Sequence, residues 1–210
     1  MIDFYTYRTP NGRKIAIMLE ECGLEYTPHV VDLMKGEHKS PAFEKISPDH
    51  TVPAIVDQEG PGGKPVRVFE AGAILQYLAD KTGRFYGNNA ITRMEATQWM
   101  MIVLTGLAPF SRECFFFKNG LVEGVSEEAL TQGASRMEAH IRRYVSALDF
   151  RLREYQFLAK TYTIADMAAY PWVDGLQRNF DISVDDYVGV RNWYNRMSNR
   201  AAVQRGMAIP

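Results

Sequence analysis

Two short stretches of this chain put backbone and side-chain polar groups where a small ligand could use them. In Thr51-Val52-Pro53-Ala54-Ile55-Val56 a proline stands just ahead of a short apolar strand. That setting predicts a cis Val52–Pro53 peptide, a form that folds adopt where they need it. Turned this way, Val52 presents its N–H and C=O to a cleft and can hold an extended, peptide-like ligand as an added strand. In Phe69-Glu70-Ala71-Gly72-Ala73-Ile74 an acidic residue opens a helix predicted from Glu70 to about Lys81. Unpaired N–H groups and the dipole at such a mouth favour an anion. A backbone clamp and a carboxylate site this close together suggest a small acidic peptide. The same residues also read as an ordinary turn followed by an ordinary helix start, and the residues alone leave both readings open.

The elements that must position these groups fall into two blocks. Ile2, Phe4 and Thr6 alternate with Asp3, Tyr5 and Tyr7, predicting a strand over 2–7. Thr9-Pro10-Asn11-Gly12 is a turn with Pro10 placed for a helix start, and Ile15, Met18, Leu19 and Cys22 mark an amphipathic helix closed by Gly23. A second strand is expected over His29–Leu33, then a polar loop from Lys35 to Ser40 and a short helix from Pro41 to Lys45. Ala54–Asp57 and Val66–Phe69 read as strands joined through Gly60-Pro61-Gly62-Gly63. This β-α-β-(α)-β-β-α order defines a compact α/β domain over 1–83. Residues 84–92 read as a linker, and 93–210 as an all-helical domain. There a Met-, Trp- and Phe-rich helix runs from Arg93 to about Phe117, with kinks expected at Gly106 and Pro109. Met137, Ile141, Tyr144, Leu148 and Leu152 predict a long helix over 126–154. Thr163-Ile164-Ala165-Asp166 is a capping box opening a buried helix, and Val190, Trp193 and Met197 mark the expected last helix.

Composition excludes several classes. With 210 residues, 46% of them hydrophobic, the chain can bury a core in each of two small domains. A formal net charge of −1 with interspersed signs argues against a nucleic-acid partner. Cys22 and Cys114 stand far apart and give neither a disulfide framework nor a zinc pattern, so no metal is expected. The opening residues are too polar for a signal peptide. The apolar stretch from Trp99 to Phe110 is interrupted by Thr105, Gly106 and Pro109, so no membrane span and a soluble cytoplasmic protein are expected.

Taken in order, the strand-turn-helix opening, Val52-Pro53, Glu70-Ala71 and the Thr163–Asp166 box in a helical second domain resemble the cytosolic glutathione S-transferase superfamily over nearly the whole chain. Thr9-Pro10-Asn11-Gly12-Arg13-Lys14, Ile46-Ser47-Pro48 and Val52–Asp57 look most like its nu-class and Ure2-like subgroup. The resemblance implies a thioredoxin-like N-terminal domain, a homodimer, glutathione as co-substrate, and disulfide reduction favoured over conjugation. Two departures stand out. Ala71 occupies the position of the usual Ser, and Val188-Gly189-Val190 lacks the proline that often precedes the last helix.

Glutathione brings its own sulfur, so the protein's task would be to make it a thiolate. Thr9 and Asn11 lie where a thioredoxin carries its cysteines, and a hydroxyl and an amide N–H can donate to sulfur there without being oxidised. Both also favour turns in their own right. Tyr7 is the alternative donor, through its hydroxyl, unless it is packed between the domains. For the rest of glutathione the resemblance points to His38, Val52, Pro53, Glu70 and Ala71, with Arg136 reaching across a dimer. Glu70 would pair with the ligand ammonium, although an acidic residue can also simply cap its helix. Cys114 and Phe115–Phe117 could line an electrophile pocket or a dimer surface, with core packing as the default. A conjugating transferase using Tyr7 and a non-enzymatic glutathione-binding protein remain the alternative functions.

Overall fold

The computed structural model describes residues 1–210 and divides into two compact units, Met1–Tyr86 with Ser198–Pro210, and Gly87–Met197. In the first, β1 (Ile2–Thr6), β2 (Tyr26–Val30), β3 (Ala54–Asp57) and β4 (Val66–Phe69) form one sheet in the order β2-β1-β3-β4. β1 is parallel to β2 and antiparallel to β3, and β4 returns antiparallel to β3. Ile2, Phe4 and Thr6 are buried, as their alternation requires. Helix α1 (Pro10–Cys22) opens on Thr9 as N-cap with Pro10 in its first turn and closes on Gly23 at φ 65, in the left-handed region. The remaining helices of this stretch are α2 (Pro41–Glu44) and α3 (Ala71–Thr82).

β2 starts and ends three residues earlier than the sequence suggests. Its extent is set by parallel pairing with β1, Ile2 against Tyr26 through Thr6 against Val30. As an edge strand it tolerates Pro28. Val31 leaves the ladder, donating its N–H to the Thr6 carbonyl at 2.8 Å while its side chain joins Phe43 and Val52 in a small apolar cluster. Asp32 then turns the chain, one carboxylate oxygen accepting from the N–H groups of Met34 and Lys35.

The end of the chain was expected in the helical domain, but it completes the sheet unit instead. A further helix, α10 (Ala201–Ala208) in our numbering, lies along α1. The approach is close: a Cβ on Gly206 would stand 2.6 Å from the backbone nitrogen of Ile17. Arg200 forks onto both carboxylate oxygens of Glu21 at 2.6 and 2.9 Å, and Arg205 reaches Glu20 at 2.6 Å.

The second unit holds α4 (Ala90–Ile102), α5 (Ala108–Lys118), α6 (Glu127–Glu154), α7 (Ile164–Asp174), α8 (Leu176–Phe180) and α9 (Val188–Ser198). Its core gathers Met100, Val103, Leu107, Ile141, Val145, Leu148, Met167 and Trp193. The irregularity expected at Gly106 and Pro109 takes the form of a π turn within a continuous helical run. A π turn over Val103–Leu107 joins α4 to α5, Pro109 falls in the first turn of α5, and Gly106 takes the ring of Tyr144 against its Cα. Ala90–Lys118 is thus one run of 29 residues with a mean hydropathy of 1.3 in its most apolar window, long and apolar enough by composition to cross a membrane. Part of that surface packs on α6 and α7. The Thr163–Asp166 box forms at the start of α7. α9 lacks the usual preceding proline; Asp149 of α6 accepts instead from the N–H groups of Gly189 and Val190, at 2.7 and 3.2 Å.

Candidate functional site

The sheet register delivers four chain segments to one end. Tyr5 faces Ala54 and Ala54 faces Phe69, so the end of β1, the start of β3 and the end of β4 lie side by side. The parallel pair Thr6 and Val30 adds the end of β2. Thr9 and Asn11 follow β1, the His38 loop follows β2, Val52-Pro53 precedes β3, and Glu70-Ala71 follows β4. These predicted residues therefore issue from one end of one sheet.

At the mouth of α1, the Thr9 hydroxyl oxygen accepts from the Gly12 N–H at 3.1 Å, so its own O–H is the donor that remains. Asn11 stands in the first turn, its side-chain oxygen accepting from the Lys14 ammonium at 2.8 Å. Gly12 is required by the tightness of the turn, since a Cβ there would lie 2.7 Å from the Tyr7 carbonyl oxygen. Lys14 is completely buried. Burial pushes its amine down to about 7, with the charge of Glu70 opposing. That coupling ties the Glu70 corner of the site to the α1 corner.

The Val52–Pro53 peptide is cis. Glu70 adopts φ 68 and ψ 120, a conformation rare for a residue with a side chain, and its carboxylate makes no capping bond to α3. The capping explanation for Glu70 is thus removed. Ala71 is buried at the first position of α3. His38 lies in a tight turn over Glu37–Lys39, with its Nδ1 buried and without a hydrogen-bond partner. Its carbonyl accepts from His50 Nδ1 at 3.1 Å, which braces the turn, whereas Lys39 is exposed. Tyr7 is half-buried against the Val31, Phe43 and Val52 cluster, inside the sheet unit, where the sequence reading allowed for a place between domains. A surface cavity of about 340 Å³ opens beside β2, lined by Tyr5, His29, Val30, Phe43 and Ile46 among others, and it includes none of the predicted site residues.

Arg136 sits exposed on α6, in the other unit, and is no part of this end of the sheet. Cys114 is fully buried, and burial pushes its thiol up to about 11. Phe115 and Phe116 are exposed, against the core-packing default, while Phe117 lies against Gly133 of α6. No three His, Cys, Asp or Glu side chains are grouped to hold a metal. The residue that sequence reasoning missed is Lys14. Its one sequence signal is its position, a cation one turn after Asn11 and directly before the apolar run Ile15–Leu19.

A thioredoxin-like sheet with a cis-proline corner, followed by a helical unit, is the glutathione S-transferase fold, and the chain belongs to that family. Residues 9–81 match the glutathione S-transferase N-terminal domain and 120–201 its C-terminal domain. Among its relatives, the disulfide-bond oxidoreductase YfcG of Escherichia coli K12 is 36% identical over 209 residues, spanning 99% of this chain and 94% of the relative. YghU, a disulfide-bond oxidoreductase of the same organism, is 32% identical across 99% and 74% of the two chains. A glutathione transferase from Pseudomonas putida, solved with one glutathione disulfide per subunit, superposes with a TM-score of 0.91 at 35% identity over 100% and 91% of the chains. Ure2p in complex with glutathione gives 0.86 at 25% identity over 98% and 97%.

Proposed function

We propose that this protein is a glutathione-dependent disulfide-bond oxidoreductase, with Thr9 and Asn11 as the donors that stabilise the bound thiolate. The observation that carries the reading is the mouth of α1. It offers a hydroxyl and an amide at a helix N-terminus, with no cysteine near them, so the nucleophilic sulfur must come with the ligand. A free thiol with a pKa of about 8.5 is only a few per cent thiolate at neutral pH, and two donors plus the helix dipole raise that fraction. The thiolate attacks one sulfur of a disulfide, forming a mixed disulfide and expelling the other half as a thiolate. A second glutathione thiolate then attacks the mixed disulfide, leaving glutathione disulfide and the second reduced product. The names of the oxidoreductase relatives support the same reading.

Val52 supplies backbone pairing to the tripeptide, with Pro53 turning the chain behind it. Glu70, free of any capping duty, takes the ligand ammonium, and the Ala71 N–H and His38 hold its carboxylates. The protein works as a cytoplasmic homodimer in which Arg136 reaches the partner's glutathione. Sedimentation as a monomer would remove the dimer and with it the role of Arg136. The first alternative is conjugation through Tyr7, whose half-buried ring packs on the Val31, Phe43 and Val52 cluster. Ala71, in place of a hydroxyl residue, keeps a glutathione-binding protein without turnover as the second alternative.

The test is disulfide reduction by glutathione measured beside aryl halide conjugation. Asn11→Ala is expected to lose roughly a hundredfold in disulfide turnover, the scale for one donor to a developing anion. Tyr7→Phe is expected to change it little. The reverse ranking refutes the assignment, and glutathione binding with silence in both assays favours the non-enzymatic reading.

A further inference from the structure

Lysines are almost never sealed in a protein interior unless they are paired there. Lys14 is fully buried, in line with Ile15, Ala16, Ile17, Met18 and Leu19. Its Nζ donates to Asn11 Oδ1 at 2.8 Å, and Glu70, at the start of α3, is the charge that favours its ammonium form. That donation keeps the Asn11 amide oxygen turned toward Lys14, most firmly in the ammonium form, which has three donors and no acceptor. The amide nitrogen, on the other branch, then points away from Lys14 as a donor. Without that partner the amide can flip, and an oxygen facing a thiolate repels it.

We propose that Lys14 is a positioning residue: it fixes the Asn11 amide with its N–H groups toward the ligand sulfur and thereby sets the acidity of the bound glutathione thiol. This rests on the reading of Asn11 as a sulfur donor. Lys14 does not touch the ligand. It acts through the amide, by orienting it and by polarising it through a charge-assisted bond.

The experiment titrates the thiolate of glutathione bound to the full-length protein, by ultraviolet absorbance against pH. It compares wild type, Lys14→Met, Asn11→Ala and the double variant. Lys14→Met is expected to raise the thiol pKa by about one unit, which leaves about tenfold less thiolate at a pH below both values. The double variant should titrate like Asn11→Ala alone, because the two residues act as one unit. If Asn11→Ala shifts the thiol and a folded, glutathione-binding Lys14→Met does not, Lys14 is only packing and the proposal is overturned. If Asn11→Ala itself leaves the thiol unmoved, the donor reading has failed and this inference with it. Should Lys14→Met not fold, the wild-type protein still decides. The side-chain signals of Lys14 and Asn11 are followed together against pH by nuclear magnetic resonance: the Asn11 amide should move as Lys14 titrates, and an amide unmoved through the Lys14 titration overturns the proposal.

Discussion

Replacing Asp166 should unfold the helical unit in proportion to the donors left stranded. One carboxylate oxygen accepts from the Leu158 N–H at 3.0 Å and from the Trp193 indole at 2.9 Å; the other accepts from the Thr163 N–H at 2.9 Å. All of these groups are buried. A buried donor left without its acceptor costs about 1–3 kcal/mol. Asp166→Asn keeps one oxygen for Leu158 and Trp193 and sets an N–H2 against the Thr163 N–H, so it should cost one such penalty, about 1–3 kcal/mol. Asp166→Ala strands these three N–H donors, the Thr163 hydroxyl at 3.4 Å being free to turn elsewhere, for a loss of roughly 3–9 kcal/mol against a typical domain stability of about 5–15. Trp99, Trp172 and Trp193 all lie in this unit, so tryptophan fluorescence in a urea series reports on it alone. With a slope of about 2 kcal/mol per molar urea, Asn should lower the midpoint by about 1 M, and Ala by more. The pH dependence adds a second check. Burial pushes the Asp166 carboxyl up to about 6, with the donated hydrogen bonds opposing. The folded state therefore binds the extra proton between about pH 4 and 6, so on this account stability falls as pH rises through that window, and Asp166→Asn should flatten the fall. Equal midpoints for the Asn and Ala variants, or either within about 0.5 kcal/mol of wild type, would refute the reasoning.

Two further outcomes follow from the packing. Cys114, buried and with its thiol pushed up to about 11, should resist a disulfide thiol reagent at neutral pH until the protein unfolds, while the half-buried Cys22 reacts slowly; fast labelling of both thiols contradicts the burial. Gly206→Ala should force α10 off α1, because the added methyl meets backbone rather than flexible side chain, at a cost of about 1–3 kcal/mol. That loss should show in far-ultraviolet circular dichroism with the tryptophan transition little moved, and an unchanged midpoint in both signals would contradict it.

What was legible in the sequence was local chemistry. Alternation over Ile2–Thr6, the Thr9-Pro10 start and Gly23 stop of α1, and the Thr163–Asp166 box each carry their structure in neighbouring residues, and each formed. The candidate residues of the sheet unit come to one end because their motifs flank strands and strand order gathers those strand ends. The misses share a cause in partners distant along the chain. The true extent of β2 depends on its pairing with β1, which its own residues do not reveal. α10 is only eight residues long, mostly small ones, and owes its place to Gly206 meeting Ile17. Lys14 was passed over because lysine signals surface, and only its burial beside Asn11 shows otherwise.

The docking of α10 on α1 also fixes an order of events during synthesis. The sheet unit leaves the ribosome first, but the helix that covers α1 is made only after all of Gly87–Met197 has been translated. Until then the face of α1 around Ile17 is open, and a nascent chain must keep that face soluble while the helical unit is being made. A frameshift or protease cut near Asn199 would therefore strike the sheet unit, from more than a hundred residues further along the chain.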